Sequence, residues 1–526
     1  MWRKVFWIVS LIMFALAAAM YDANPIATHA MLYVLTPLFI VGLYDMFQKN
    51  NNVLRNYPVV GHMRFILIGL RPEIQQYFIE TNQDGMPFSD ELRHLVYARA
   101  EGYDETLPFG TQRDTYQEGF AFAMHSMSPT KLGDEHARVT VGGEACTQPY
   151  DASRLNISAM SFGALSANAI RSLNMGAKIG GFAHNTGEGG LSPYHQGPGG
   201  DLFWQLGTGY FGCRTPEGNF DEAQFKAKVV LPQVRMIEIK LSQGAKPAHG
   251  GLLPGAKVDK EIATIRGIPE GKDCLSPPTH SAFSTPRELL HFVQHLRELS
   301  GGKPVGFKLC LGCPTNFMGI CKAMIETGIK PDFITVDGAE GGTGAAPLEF
   351  TDFLGVPLNE ALAFIHNTLV GLNLRENIRI ISSGKVVSGF DMLSKMALGA
   401  DMCNSARAMM FALGCIQSRR CNTNMCPTGI ATQDPSRSYA VVPESKGQKV
   451  ANFHQRTVES FLEVLGATGV HSVDELTPDH VFRRTSLTEI LPFRLIYQFL
   501  EPGDILAGKA TLRYSIYWEK ASADKF

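Results

Sequence analysis

Very little net charge is carried by this chain of 526 residues: 48 Lys and Arg stand against 50 Asp and Glu, a formal net charge of −2. That balance argues against a protein that holds nucleic acid through a basic surface. Charged residues make up only 19% against 45% hydrophobic ones, which a disordered chain does not have. Low-complexity tracts and short-period repeats are absent, so fibrous and solenoid architectures fall away. The 52 glycines, about 10% of the chain against a usual ~7%, follow no collagen-like period. Glycine loops that press backbone against a cofactor are expected instead. The ten cysteines are unevenly spaced and do not read as a disulfide framework. A reduced compartment with a metal or redox site is expected. No Gly-x-Gly-x-x-Gly strand-turn-helix unit is evident, so electrons are expected from another protein or carrier rather than from NAD(P)H bound here.

What the chain does have begins with two uncharged apolar runs, Val5 to Tyr21 and Met31 to Tyr44, the second reaching back to Ile26. Each approaches the ~20 residues that span a bilayer. Arg3 and Lys4 precede the first, Lys49 and Arg55 follow the second, and the link Asp22 to Ala30 has no Lys or Arg. A helical hairpin with both ends in the cytoplasm is expected, placing the rest of the chain on the cytoplasmic face of the inner membrane. Trp2, Trp7, Tyr21 and Tyr44 suit the interfaces, and Pro37 is tolerable within a span. A cleaved signal ending near Ala17-Ala18-Ala19 is the alternative. Tyr57 to Glu80, after a break at Asn50 to Asn52, is expected either on the membrane surface or packed on the following region. The expected organisation is a hairpin over 1–50, a connecting region over 51–150, a barrel over 151–410, a cysteine loop over 411–435 and a helical C-terminal region over 436–526.

From residue 151 short apolar strands alternate with helical stretches: Leu155–Ser158, Phe182–Asn185, Asp201–Leu206, Met236–Lys240, Val305–Leu309, Phe333–Val336, Ile378–Ser382 and Asp401–Asn404. Eight such units predict an α/β chain folded as a (β/α)8 barrel, with its site at the C-terminal strand ends.

Three groups of residues carry chemistry. Cys415, Cys421 and Cys426, the last followed by Pro427, are close enough in sequence to clasp an iron–sulfur cluster. Zinc normally takes a fourth ligand, and none stands beside them. Arg419 and Arg420 are expected to lower the thiol pKa values. Glycine-rich segments close several strands: Ser158-Ala-Met-Ser-Phe-Gly-Ala-Leu-Ser166, Asn185-Thr-Gly-Glu-Gly-Gly190 and Gly341-Gly-Thr-Gly344, with Ser383-Gly384-Lys385 and Asn404-Ser405-Ala406 where barrels bind phosphate. Together they point to a flat phosphorylated cofactor. In Ile239-Lys-Leu-Ser-Gln-Gly-Ala-Lys-Pro247, Lys240, Gln243 and Lys246 end a strand and suit a dicarboxylate, with Arg266 near in sequence. Lys308 also ends a strand, where a cation can sit beside the pyrimidine side of a flavin.

These motifs resemble the FMN-binding synthase domain of glutamate synthase over about residues 140 to 435, and the whole layout is similar to the shorter stand-alone glutamate synthase-like FMN proteins. The resemblance implies an FMN barrel with a 3Fe-4S cluster, electrons passing from cluster to FMN, and hydride given to the imine of 2-oxoglutarate and ammonia. By position, Glu188, Lys240, Gln243, Lys246 and Arg266 match the binders of 2-oxoglutarate, with Glu188 and Lys308 nearest the chemistry. Met160, Ser161, Gln205, Lys308, Gly341, Gly342 and Gly384 match or neighbour FMN contacts, and Gly163, Thr186, Lys385 and Ser405 in the same loops go with them. Cys415, Cys421 and Cys426 match the cluster ligands.

The departures are informative. Apolar runs stand where a glutaminase domain would begin, so ammonia is expected from outside the chain. Electrons are expected from an external donor, a ferredoxin-like protein or separate reductase. Ala-His249-Gly-Gly stands where the larger synthases carry Gly-Glu-Gly-Gly, and Ser382-Ser-Gly-Lys-Val replaces the usual Asp-Gly-Gly. A homo-oligomer is compatible with the sequence. Two other readings compete: an amine or amino-acid oxidoreductase such as an N-alkyl glutamate synthase, and a membrane-tethered flavin/iron–sulfur carrier without a substrate. The dicarboxylate cations favour an enzyme.

Overall fold

The computed structural model describes residues 2–103 and 105–526. They divide into two compact units, Met1–Asp90 and Glu91–Phe526.

In the first unit, α1 (Trp2–Met20) and α2 (Pro25–Phe47) are the two apolar runs, both with mean hydropathy 1.8 and long enough to cross a bilayer by length and composition. Asn24 starts α2: its side chain accepts from the Ala27 N–H at 3.1 Å, and Pro25 fills the first helical position. Pro37 lies inside the helix without ending it. The two helices pack closely because Gly42 has no side chain: a Cβ there would meet the Phe6 ring at 2.2 Å. Phe6 stacks on Phe39 with ring centroids 5.7 Å apart. The break after α2 falls at residues 48–51, and the segment beyond it forms helices Gly61–Ile74 and Gln75–Ile79.

The second unit is built on a closed parallel barrel. Its strands are β1 (Leu155–Ile157), β2 (Ala183–Asn185), β3 (Asp201–Leu206), β4 (Val234–Lys240), β5 (Val305–Leu309), β6 (Phe333–Asp337), β7 (Arg379–Ser383) and β8 (Met402–Ser405). Each predicted strand is present, with ends moved by two residues at most. β8 pairs with β1 to close the ring, through Ser405 beside Ile157. Near-continuous apolar strands are what a sheet covered on both faces requires.

Alternation along the strands sets two interior layers. The lower holds Ala183, Phe203, Met236, Phe333, Ile381 and Met402, fully buried. An antiparallel hairpin, Arg138–Val141 with Tyr150–Ser153, plugs that end through Val141, Tyr150 and Ala152. Two residues further along each of these six strands the interior turns polar, and on three of them the side chain is tied to Glu238 of β4. Asn185, Gln205 and Thr335 donate to the Glu238 carboxylate at 2.8, 2.6 and 2.6 Å. The apolar floor supplies stability, roughly 1.5–3 kcal/mol for each large side chain. The hydrogen-bonded Glu238 cluster supports the mouth.

Beyond the barrel, helix Pro443–Ala467 packs on helix Ala167–Gly180. The C-terminal region carries the expected helices and adds a short sheet to them. A hairpin, Val481–Arg484 with Ile490–Pro492, takes Ala121–Ala123 as a third strand. Two shorter helices, Phe493–Tyr497 and Leu512–Lys520, follow. Strands this short, one carrying Arg483 and Arg484, leave no alternating signal in the sequence.

Candidate active site

Barrel closure makes Lys240 and Lys308 register partners at the ends of β4 and β5. Lys240 Nζ lies 2.8 Å from Glu188 Oε1, with side chains 8% and 18% exposed. Glu188 reaches it from the turn Gly187–Gly189, which lies against the loop after β1. Gly187 has φ +63°, and a Cβ on it would come within 2.9 Å of the Ser161 nitrogen. Glycine is required there.

Lys246 and Arg266 complete the group. Arg266 ends helix Lys260–Arg266, held by Asp259 at its start and Gly267, φ +65°, at its end. Its Nη2 donates to the Phe162 carbonyl at 3.1 Å, and its buried Nε has no partner among the described residues. A cavity of about 70 Å³ is lined by Ser161, Glu188, Lys246, Arg266, Lys257 and Cys421, among others. Burial pushes the Glu188 carboxyl up, but Lys240, Lys246 and Arg266 outweigh it and hold the group below its ordinary range. Burial pulls the Lys246 ammonium down to about 8, opposed by Glu188 and assisted by Lys240 and Arg266. The structure thus gathers Glu188, Lys240, Lys246 and Arg266 from three separate segments. Gln243 is half-buried on the loop between the lysines.

That loop is fixed from below. Gly244 N–H donates to Asp337 Oδ2 at 2.9 Å, and Lys308 Nζ lies 3.3 Å from the same oxygen. A Cβ at Gly244 would stand 1.7 Å from the Gly338 carbonyl oxygen, so the loop backbone lies directly on the end of β6. Burial disfavours the Lys308 charge, but Asp337 and Glu238 outweigh it and hold the ammonium above its ordinary range.

The expected flavin residues ring the same mouth. The Met160 N–H donates to the Asn185 carbonyl at 3.2 Å, and Thr186 Oγ1 accepts from the Gln205 N–H at 3.1 Å. Gly163 has φ +100°, beside Arg266. Gly341 donates its N–H to the Gly338 carbonyl, and Gly342 faces the Arg407 guanidinium. Gly384 and Lys385 have φ +148° and +47°. Ser405 Oγ donates to the Val386 carbonyl at 2.6 Å, tying β8 to that turn. Glycine backbone on several sides, with a buried cation at one edge, fits a flat anionic ring.

Cys421 lines the cavity, and Cys415 and Cys426 lie close enough to interact with it. Burial pushes the Cys415 thiol up to about 11, and the charges of Cys421 and Cys426 act in the same direction, so the three sulfurs sense one another. Burial also raises Cys426, but hydrogen bonds from Thr428, Ala431 and Ile430 outweigh it and leave the thiol below its ordinary value. Among the described residues, no three His, Cys, Asp or Glu side chains stand in metal-ligand geometry. The donor set is three soft sulfurs that interact with one another, which suits iron and sulfide better than a hard cation. Arg419 and Arg420 are exposed, and further cations stand near the sulfurs. They are Arg407 on Cys415 and Lys257 beside Cys421 and Cys426. Sequence reasoning missed both, and also Glu238 and Asp337. A lone lysine in Leu-Pro-Gly-Ala-Lys-Val reads as a surface charge until burial is known. His249 packs edge-on against Phe350 with centroids 5.2 Å apart.

Residues 112–471 match the family described as "Conserved region in glutamate synthase". A glutamate synthase large subunit-like protein from Bacillus subtilis, YerD, is 34% identical over 520 residues, covering 91% of this chain and 97% of that one. An archaeal glutamate synthase (NADPH) from Methanocaldococcus jannaschii is 37% identical over 327 residues, 61% of this chain and 60% of that protein. This chain therefore aligns with under two thirds of the archaeal protein's length. A flavocytochrome b2 with pyruvate bound aligns at a TM-score of 0.41 and 13% identity, covering 83% of this chain and 90% of that one.

Proposed function

The chain belongs to the glutamate synthase family, and from that premise we propose that it is an oxidoreductase of the glutamate synthase type, acting on 2-oxoglutarate or a related oxo acid with ammonia or an amine. FMN at the barrel mouth and a 3Fe-4S cluster on Cys415, Cys421 and Cys426 would supply hydride and one-electron chemistry, with electrons from an external donor.

The observation that carries this reading is the charge balance around Glu188. Lys240, Lys246 and Arg266 face a single carboxylate, Glu188. The surplus is two positive charges, which a dicarboxylate dianion neutralises. Arg266 offers a planar fork to one carboxylate, and the lysines act as point charges. When substrate takes Lys240, the Glu188 carboxylate is released to accept hydrogen bonds from the incoming nitrogen. The low exposure of these groups keeps water out and strengthens each interaction. Lys308, held by Asp337, favours negative charge on a ring bound beside it. An electron carrier without a substrate has no use for such a cavity.

The apolar hairpin supports attachment to the inner membrane, with the barrel on the cytoplasmic side. The deciding experiment uses the full chain purified in detergent and reduced anaerobically. Reoxidation of its flavin absorbance by 2-oxoglutarate with ammonium, and appearance of glutamate, are expected. Reoxidation only with methylamine moves the assignment to an N-alkyl product, and none with any oxo acid refutes the reading.

A further inference from the structure

We propose that Lys257 is the positioning cation of the sulfur centre, holding the Cys421–Cys426 end of the cysteine loop and raising the potential at which a cluster there accepts an electron from the external donor. The inference rests on the cluster reading given above.

Lys257 closes the turn Gly255–Lys257 and is 2% exposed. Its Nζ donates to the Ala164 carbonyl at 3.0 Å. Among the described residues no carboxylate pairs with it. Lys257 lines the cavity together with Cys421, and the charges of Cys421 and Cys426 oppose the burial of its ammonium. A buried ammonium with one neutral hydrogen bond is costly unless an anion lies beside it. The lysines facing Glu188 have theirs. Lys257 faces sulfur, and iron held by thiolates and sulfide supplies the missing negative charge.

The surrounding hydrogen bonds hold that arrangement in place. Asn424 Nδ2 donates to the Ala256 carbonyl at 3.1 Å, binding the cysteine loop to the turn that carries Lys257. Gln433 Nε2 donates to the carbonyls of Gly163 and Leu165 at 3.1 and 2.9 Å, binding the same loop to the segment after β1. Lys257 thus touches the expected flavin loop through Ala164 and the sulfur centre through its charge. It also lines the cavity that holds Glu188 and Ser161. Net charge around a cluster is one of the factors that set its potential, and a fixed cation favours the more negative, reduced state.

The test is a redox titration followed by electron paramagnetic resonance, with iron and sulfide analysis, on the full-length protein after anaerobic reconstitution. Wild type, Lys257→Met, Lys257→Gln and Lys257→Arg are compared. The neutral variants are expected to keep iron and to show a roughly tenfold higher oxidised-to-reduced ratio at a fixed applied potential, ~59 mV lower for a one-electron couple. Arginine restores the wild-type value. Loss of iron from both neutral variants with retention in Lys257→Arg also supports the proposal, since the charge is then what holds the cluster. An iron-loaded Lys257→Met at the wild-type potential overturns it. So does loss of iron from all three variants, or a loss of 2-oxoglutarate affinity with the potential unmoved. Wild type that binds no iron overturns the cluster reading itself and the proposal with it, an outcome distinct from the others.

Discussion

Replacing Lys240 by alanine tests the charge logic of the cavity most directly. The ammonium sits 2.8 Å from Glu188, with the two side chains 8% and 18% exposed. Removing one partner of a buried pair costs about 3–5 kcal/mol. Lys246 and Arg266 still face Glu188 in the variant, so the lower end, about 3 kcal/mol of stability, is expected. A hydrogen bond to a charged group contributes about 1.5–3 kcal/mol. The 2-oxoglutarate dissociation constant should therefore rise about tenfold to 150-fold. FMN should be retained, because Lys308 and the glycine loops are untouched. The stability gap also has a pH signature. The Glu188 carboxyl is held below its ordinary value of 4.5, so its contribution is present above that value and is lost as pH falls through the lowered one. Lys240→Ala removes the foremost cation responsible. The gap between wild type and variant should be full near neutrality and shrink below pH 4.5. Melting curves across pH and titration of the flavin absorbance with 2-oxoglutarate measure both effects. Affinity within twofold of wild type, or a gap that does not change with pH, would refute the pairing as the basis of binding.

The remaining expectations are more compact. Because the Lys246 ammonium is pulled down to about 8, 2-oxoglutarate affinity should fall by about tenfold or more between pH 7 and 9.5; Lys246→Arg should flatten that fall, and a flat wild-type profile would contradict it. Gly244→Ala puts a Cβ 1.7 Å from the Gly338 carbonyl oxygen, so it should cost at least about 1–3 kcal/mol and weaken oxo-acid binding by displacing Lys246; wild-type melting and affinity together would rule this out. Cys421→Ser should abolish the electron paramagnetic resonance signal of the cluster, and a retained spectrum would remove Cys421 from the ligand set. The full chain should sediment with membranes through high-salt and alkaline washes, and recovery in the soluble fraction would count against the hairpin as an anchor.

The eight strands were legible because each is a short apolar run closed by glycine or a polar residue. A strand buried on both faces between helices requires that pattern wherever it stands. The apolar helices at the start were legible for the same kind of reason, an uncharged run of sufficient length. Local chemistry also marked Gly187 and Gly384, whose backbones take conformations that side chains resist. The strands at Val481–Arg484 and Ile490–Pro492 were not legible, since they are too short to show a period and exist by pairing with distant Ala121–Ala123. The site divides in the same way. Residue type and position at strand ends marked Lys240, Lys246 and Lys308 as candidates, but Asp337 as the carboxylate shared by Lys308 and Gly244, Glu238 as the centre of the polar layer, and Lys257 as a buried cation facing sulfur depended on closure of the barrel. Pattern along a chain records which residues must be buried or must turn. Which charges meet is decided by strand register and loop packing between segments far apart in sequence, and burial alone turns an ordinary lysine into one that needs an anion.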